Sequence, residues 1–207
     1  KAVIVVDVVA DALMKAMEEN GARRLSPREA DRLTERIFTD KEGQGAASCS
    51  GREDVLRRWA IDRQYVGKNA EFILREAGIN VSDDPRIAFM EVDRDHPLVW
   101  HEQMMPILPI VRVPDVDEAI RLAVEVEGGN RHTAVCWSRN VDTMTQLARE
   151  IKTTIFVKNG PSYAGIGFGG EGHTSFTIAG PTGEGLTSAR TFTRRRRCVL
   201  VDAFSIV

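Results

Sequence analysis

Short apolar runs rich in β-branched residues alternate with helix-forming windows along most of the chain, and this alternation restricts the fold more than any other feature. Ala2-Val-Ile-Val-Val6 reads as a buried strand, and helix formers continue from Ala10 to Met17 until Asn20-Gly21 stops them. Ser26-Pro27-Arg28-Glu29 has the form of a capping box: Ser26 can accept from the N–H three residues on, Pro27 suits the first helical position, and Glu29 can reach back. The helix it opens is predicted to run to about Phe38. Residues 40–53, with Gly43, Gly45 and Gly51 among small polar side chains, have no period and are expected to form a mobile surface loop. Asn69 to Ala77 reads as a helix that Gly78 ends, because glycine tolerates the left-handed conformation there. Arg86–Glu91 and Ile107–Val113 are predicted strands. From Asp115 the spacing predicts a helix with Val116, Ile120, Ala123 and Val124 on one stripe and acids near its positive N-terminal end. His132–Trp137 is the next strand, Val141–Ile151 the next helix and Thr154–Val157 a further strand. The expected fold class is therefore α/β, a mainly parallel sheet flanked by helices on both faces.

The 207 residues can bury a substantial core, and 43% apolar with 28% charged is ordinary for a globular domain. A net charge of −2 and a pI near 6.1 give no positive field to attract nucleic acid or anionic lipid. No apolar run approaches the ~20 residues that span a bilayer, and residue 1 opens no signal-peptide pattern. These features predict a cytoplasmic protein with neither a membrane nor a nucleic-acid partner. Cys49, Cys136 and Cys198 are odd in number and widely spaced, which suits a reducing compartment. Cys136 and Cys198 read as buried small hydrophobes in strands, Cys49 as a loop thiol with no local base to activate it. His96, His101, His132 and His173 have no paired helical spacing and no Cys-x-x-Cys beside them, so no metal site is expected.

Two regions carry polar chemistry. Glu102-Gln-Met-Met-Pro106 runs straight into the strand that begins at Ile107 and so presents a carboxylate at a strand mouth. Further on, Phe156-Val-Lys-Asn-Gly-Pro161 supplies a turn and Gly165–His173 a glycine-dense loop, so the chain holds the usual parts of a ligand cleft. By itself the Glu-x-x-x-Pro spacing favours a solvated acid capping a loop. A lone glycine fingerprint is equally weak, and no Gly-x-x-x-x-Gly-Lys-Ser/Thr is present to cradle a phosphate.

Taken with Pro181-Thr-Gly-Glu-Gly-Leu-Thr-Ser-Ala-Arg190 and Arg197-Cys-Val-Leu-Val-Asp-Ala-Phe-Ser-Ile-Val207, these segments resemble a nicotinamide-dependent aldehyde dehydrogenase. The resemblance is to the coenzyme A-acylating branch that serves ethanolamine and propanediol utilisation, and it is specific from about Arg86 onward. Met104 stands where most of the family has phenylalanine and Met105 where it has glycine, a departure shared with the acylating branch. The resemblance implies a thiolate that attacks a short aldehyde (acetaldehyde or propionaldehyde), hydride transfer to NAD, and passage of the acyl group from a cysteine thioester to coenzyme A. Glu102 is implied to accept hydrogen bonds from the two hydroxyls of the nicotinamide ribose. Phe168 is implied to line the aldehyde tunnel, with a loop phenylalanine tucked onto the core as its alternative. The glycines are implied to let the backbone pass close to that tunnel.

In the family the nucleophile lies in a Cys-x-Ala-Glu segment followed by Lys and an apolar strand. It is therefore expected four residues before Lys1, with the Rossmann-type cofactor domain further upstream. No catalytic residue is then expected within the chain, which reads as the C-terminal, catalytic-side portion of a longer enzyme and as inactive alone. Residues 1–190 correspond to the catalytic-domain portion and residues 191–207 to a C-terminal oligomerisation strand, within which Arg194–Arg197 reads as interface pairing in a homo-oligomer. Cargo of a bacterial microcompartment is a further implication. The rival expectation is a non-catalytic assembly module that keeps the fold for oligomerisation or docking into a larger particle.

Overall fold

The structure, a computed structural model, describes residues 2–41, 52–81, 84–170, 172–179, 185–197, 199 and 201. Two compact units divide the chain, Lys1–Val126 and Glu127–Val207. That division is one of compactness, and the expected functional boundary after residue 190 lies inside the second unit.

In chain order the first unit contains β1 (Val3–Val6), α1 (Asp7–Glu19), β2 (Arg23–Arg24), α2 (Pro27–Ile37), β3 (Phe38–Asp40), α3 (Arg52–Arg58), β4 (Trp59–Ile61), α4 (Ala70–Glu76), β5 (Ala88–Glu91), α5 (Pro97–Trp100), β6 (Ile107–Val113) and α6 (Val116–Glu127). Its sheet has the order β1-β6-β5-β2 and is parallel throughout, as the alternation predicts. Successive side chains of a strand point to opposite faces. Val5, Phe89 and Ile110 accordingly pack with Ala10 and Met14 of α1, whereas Ala88, Met90, Ile107 and Val111 join Leu33, Ile37, Leu74 and Leu98 on the other face. The crossover from β5 to β6 contains α5 and, after it, Glu102.

Local signals set the helix ends. The capping box forms at α2, with the Ser26 N–H donating to Glu29 Oε2 at 2.8 Å and the Glu29 N–H to Ser26 Oγ at 3.4 Å. Asn69 Oδ1 accepts from the Phe72 N–H at 3.1 Å to start α4, and Gly78 takes φ +66° just past its end. The contact stripe of α6 differs from the expected one. Ala119, Leu122 and Val126 lie against the main core with helical spacing and Ile120 is buried, while Val116 stays 38% exposed. This helix offers two apolar stripes, and the packing surface beneath it selects between them.

β3 and β4 pair antiparallel, and Arg58, with a side chain only 1% exposed, donates from Nε and Nη2 to the two Asp40 oxygens, each at 2.8 Å. The loop expected at residues 40–53 lies mostly outside the described residues; Arg52 and Glu53 already belong to α3.

The second unit contains β7 (Thr133–Cys136), α7 (Val141–Ile151), β8 (Ile155–Lys158), β9 (Ile178–Ala179) and β10 (Gly185–Leu186). β7 and β8 are parallel, and the Asn159 side chain extends their pairing by donating to Ser138 O at 2.8 Å and accepting from the Ser138 N–H at 2.9 Å. Cys136 is buried in β7, and that burial pushes its thiol pKa up. Cys49 and Cys198 lie outside the described residues. In the tail, Ala189–Phe192 forms a 3-10 turn and Arg194–Arg197 are exposed and irregular. The rest of the segment expected to be a strand is described only at Val199 and Val201.

Candidate functional site

Glu102 sits in the short connection from α5 to β6, at the amino end of the β6 strand. Its neighbours are tied down one by one. The His101 N–H donates to Pro97 O at 3.0 Å, Gln103 Nε2 donates to Leu98 O, the Gly67 N–H donates to Met104 O at 3.0 Å, and the Ala88 N–H donates to Pro106 O at 2.9 Å. Gln103 is 1% exposed and Met105 3%, so both side chains anchor the connection in the core. Met104 adopts φ +51° and is 67% exposed. Left-handed backbone is costly for a side chain with a Cβ and persists where the surroundings determine it. Within this pinned connection the Glu102 side chain is exposed and makes no hydrogen bond or ion pair among the described residues. A carboxylate held on fixed backbone with its acceptor positions open is suited to a ligand carrying hydroxyls.

His101 is partly buried and packs its ring on Phe38, with centroids 5.4 Å apart. Burial lowers its pKa, the Val55 carbonyl opposes that shift, and the charge of Lys41 adds to it. His96 is the N-cap of α5. His132 Nδ1 meets Thr133 Oγ1 at 2.7 Å, and His173 Nε2 meets Thr187 O at 3.2 Å. Among the described residues no group of three His, Cys, Asp or Glu is placed to hold a metal ion. Two open hollows of about 500 and 490 Å³ occur in the first unit, one beside Arg23, Arg24 and Glu91, the other beside Arg75 and Ile79; neither includes Glu102.

Phe168 belongs to the second unit, so each expected site residue is placed within its own unit. It is 71% exposed and therefore not tucked onto the core; its ring meets Tyr163 edge-on at 5.5 Å. The glycines around it pack the loop against itself and its own strand. A Cβ on Gly165 would lie 2.2 Å from Ile155 Cγ2, and one on Gly170 would lie 2.3 Å from Ala164 O. Gly167 has φ +92°, and a Cβ there would lie 2.8 Å from His173 O. Glycine is required at these close approaches, and the loop they build holds Phe168 outward on packed backbone.

Residues 84–193 match the family model described as the aldehyde dehydrogenase family. The whole chain is 50% identical to the acetaldehyde dehydrogenase (acetylating) EutE of Salmonella typhimurium and covers 42% of that protein. The solved propionaldehyde dehydrogenase of Rhodopseudomonas palustris with bound propionyl-CoA superposes with a TM-score of 0.82 at 48% identity, over 97% of this chain and 41% of that one. A propionaldehyde dehydrogenase from the Clostridium phytofermentans fucose utilisation bacterial microcompartment gives a TM-score of 0.81 at 44% identity, over 99% of this chain and 43% of that one. The chain thus spans about two fifths of the length of the relatives it matches.

Proposed function

The chain belongs to the aldehyde dehydrogenase family, and from that premise we propose that it is the C-terminal, catalytic-side portion of a coenzyme A-acylating aldehyde dehydrogenase. The observation that carries this reading is Glu102, an exposed carboxylate on a pinned loop at the amino end of a central strand. Its two oxygens can accept from the vicinal hydroxyls of a nicotinamide ribose and so hold the ring in register for reaction. When bound, the nicotinamide dinucleotide supplies the hydride acceptor. Nothing among the described residues or the relatives favours an assembly module that keeps only the fold.

Phe168, exposed on its packed loop, is the proposed wall of the aldehyde site.

The substrate is a short aldehyde, acetaldehyde or propionaldehyde, and coenzyme A takes up the acyl group. A difference of one methylene is worth only ~1–3 kcal/mol in a pocket, so the fold alone does not choose between the two. The tail from Thr191 is the proposed contact with a neighbouring subunit, and location inside a microcompartment is the corresponding cellular setting. The chain, which spans about two fifths of the relatives' length, is proposed to be inactive by itself.

In the full-length enzyme, Glu102→Gln is expected to preserve the fold and slow hydride transfer by roughly ten- to a hundredfold, the range for weakening a hydrogen bond to a charged group. Acyl transfer to coenzyme A should change far less. Single-turnover kinetics separates the steps, and unaltered hydride transfer in the variant would remove Glu102 from this role.

A further inference from the structure

Every polar group of His96 is engaged in fixing one short piece of structure. Its N–H donates to Asp93 O at 3.0 Å and its carbonyl accepts from the Val99 N–H at 2.9 Å. Nδ1 accepts from the Leu98 N–H at 3.2 Å, which makes His96 the N-cap of α5, with Pro97 at the first helical position. Because Nδ1 is an acceptor, the ring proton resides on Nε2, which donates to Thr34 Oγ1 at 3.0 Å. Thr34, 5% exposed, in turn donates to Ala30 O at 2.8 Å, so the imidazole joins α5 to the middle of α2.

α5 is only four residues long, and two of its carbonyls hold the residues on either side of Glu102. Pro97 O accepts from the His101 N–H and Leu98 O accepts from Gln103 Nε2. A continuous set of bonds therefore runs from Ala30 through Thr34 and His96 to α5, and from there to both flanks of the exposed carboxylate. We infer that His96, braced by Thr34, is a positioning residue that sets where Glu102 meets the nicotinamide ribose. It rests on the role proposed for Glu102, and it assigns to a histidine outside the reacting centre the control of how well that acid is aimed.

The test uses the full-length protein with His96→Ala, His96→Asn and, as a variant isosteric at α2, Thr34→Val. Asparagine is a strong N-cap and can accept from the Leu98 N–H, so it should restore much of what alanine removes. Loss of a cap corresponds to roughly fivefold in an equilibrium, so His96→Ala should weaken nicotinamide dinucleotide binding by about that factor or more and leave the apparent affinity for coenzyme A unchanged. Hydrogen exchange at the His101 and Gly67 amides should quicken in the alanine variant and return towards wild type with asparagine. Thr34→Val should act in the same direction as alanine and answers the question if His96→Ala does not fold. Unchanged nucleotide affinity in His96→Ala or Thr34→Val, while Glu102→Gln weakens it, would overturn the positioning role alone. Unchanged affinity in Glu102→Gln would overturn the Glu102 role and this inference with it, and an asparagine variant as impaired as alanine would show that capping is not the cause.

Discussion

Glu102 is exposed and His96 is largely enclosed, and the second residue shows a physical consequence that can be measured without substrate. Burial lowers the His96 pKa to about 4 from the ordinary 6.5. Between those values the unfolded chain binds a proton that the folded ring refuses, so stability is complete above pH 6.5 and falls as the pH drops towards 4. Urea unfolding at pH 7.5 and pH 4.5 should show wild type losing on the order of 2–3 kcal/mol more than His96→Asn, which has nothing to titrate there. Equal losses in the two proteins would place the proton elsewhere. Neither the cap nor its brace was read from the sequence: α5 is four residues long, too short to display a period, and Thr34 is 62 residues away, so only the tertiary fold brings the two side chains together. Glu102 was legible through resemblance, since its spacing to Pro106 alone favours a solvated acid.

Elements with a clear period matched their expectation closely. Val141–Ile151 is the helix read from the sequence, and Ile107–Val113 is the strand. Short pieces escaped, among them β2, β3, β4 and α5, because two to four residues are too few to display a period. The glycine loop was legible as a loop, while the packing of Gly165 onto Ile155 and Val157 depends on how β8 is presented and has no local signature. At the chain's end, Phe192, Val199 and Val201 are each more than two-thirds exposed, beside four exposed arginines. Apolar side chains in such a segment are stabilised by a partner surface. Truncating the full-length enzyme after Arg190 should lower its oligomeric state or its solubility, as read by light scattering. An unchanged, soluble oligomer would show that the tail is dispensable for assembly.

The two ends of the first unit's sheet differ in chemistry. At the carboxyl end, Arg112 donates to Asp7 at 2.8 Å, Asp11 at 2.6 Å and Glu91 at 2.7 Å, and so joins β6 to α1 and β5. Its hydrogen bond and charge hold the Asp11 carboxyl below its usual pKa. Open α/β sheets commonly bind ligands at that end, but here it is crossed by ion pairs, and the free carboxylate stands at the amino end. Glu102 precedes β6 at that amino end, and the role proposed for this carboxylate belongs there. The most direct measurement is acyl-CoA formation by the full-length protein given acetaldehyde or propionaldehyde, NAD and coenzyme A, followed by chromatography with mass detection. One acyl-CoA should appear for each nicotinamide reduced, and none from the 207-residue chain alone. Absence of acyl-CoA from the full-length protein, or its formation by the isolated chain, would contradict the assignment.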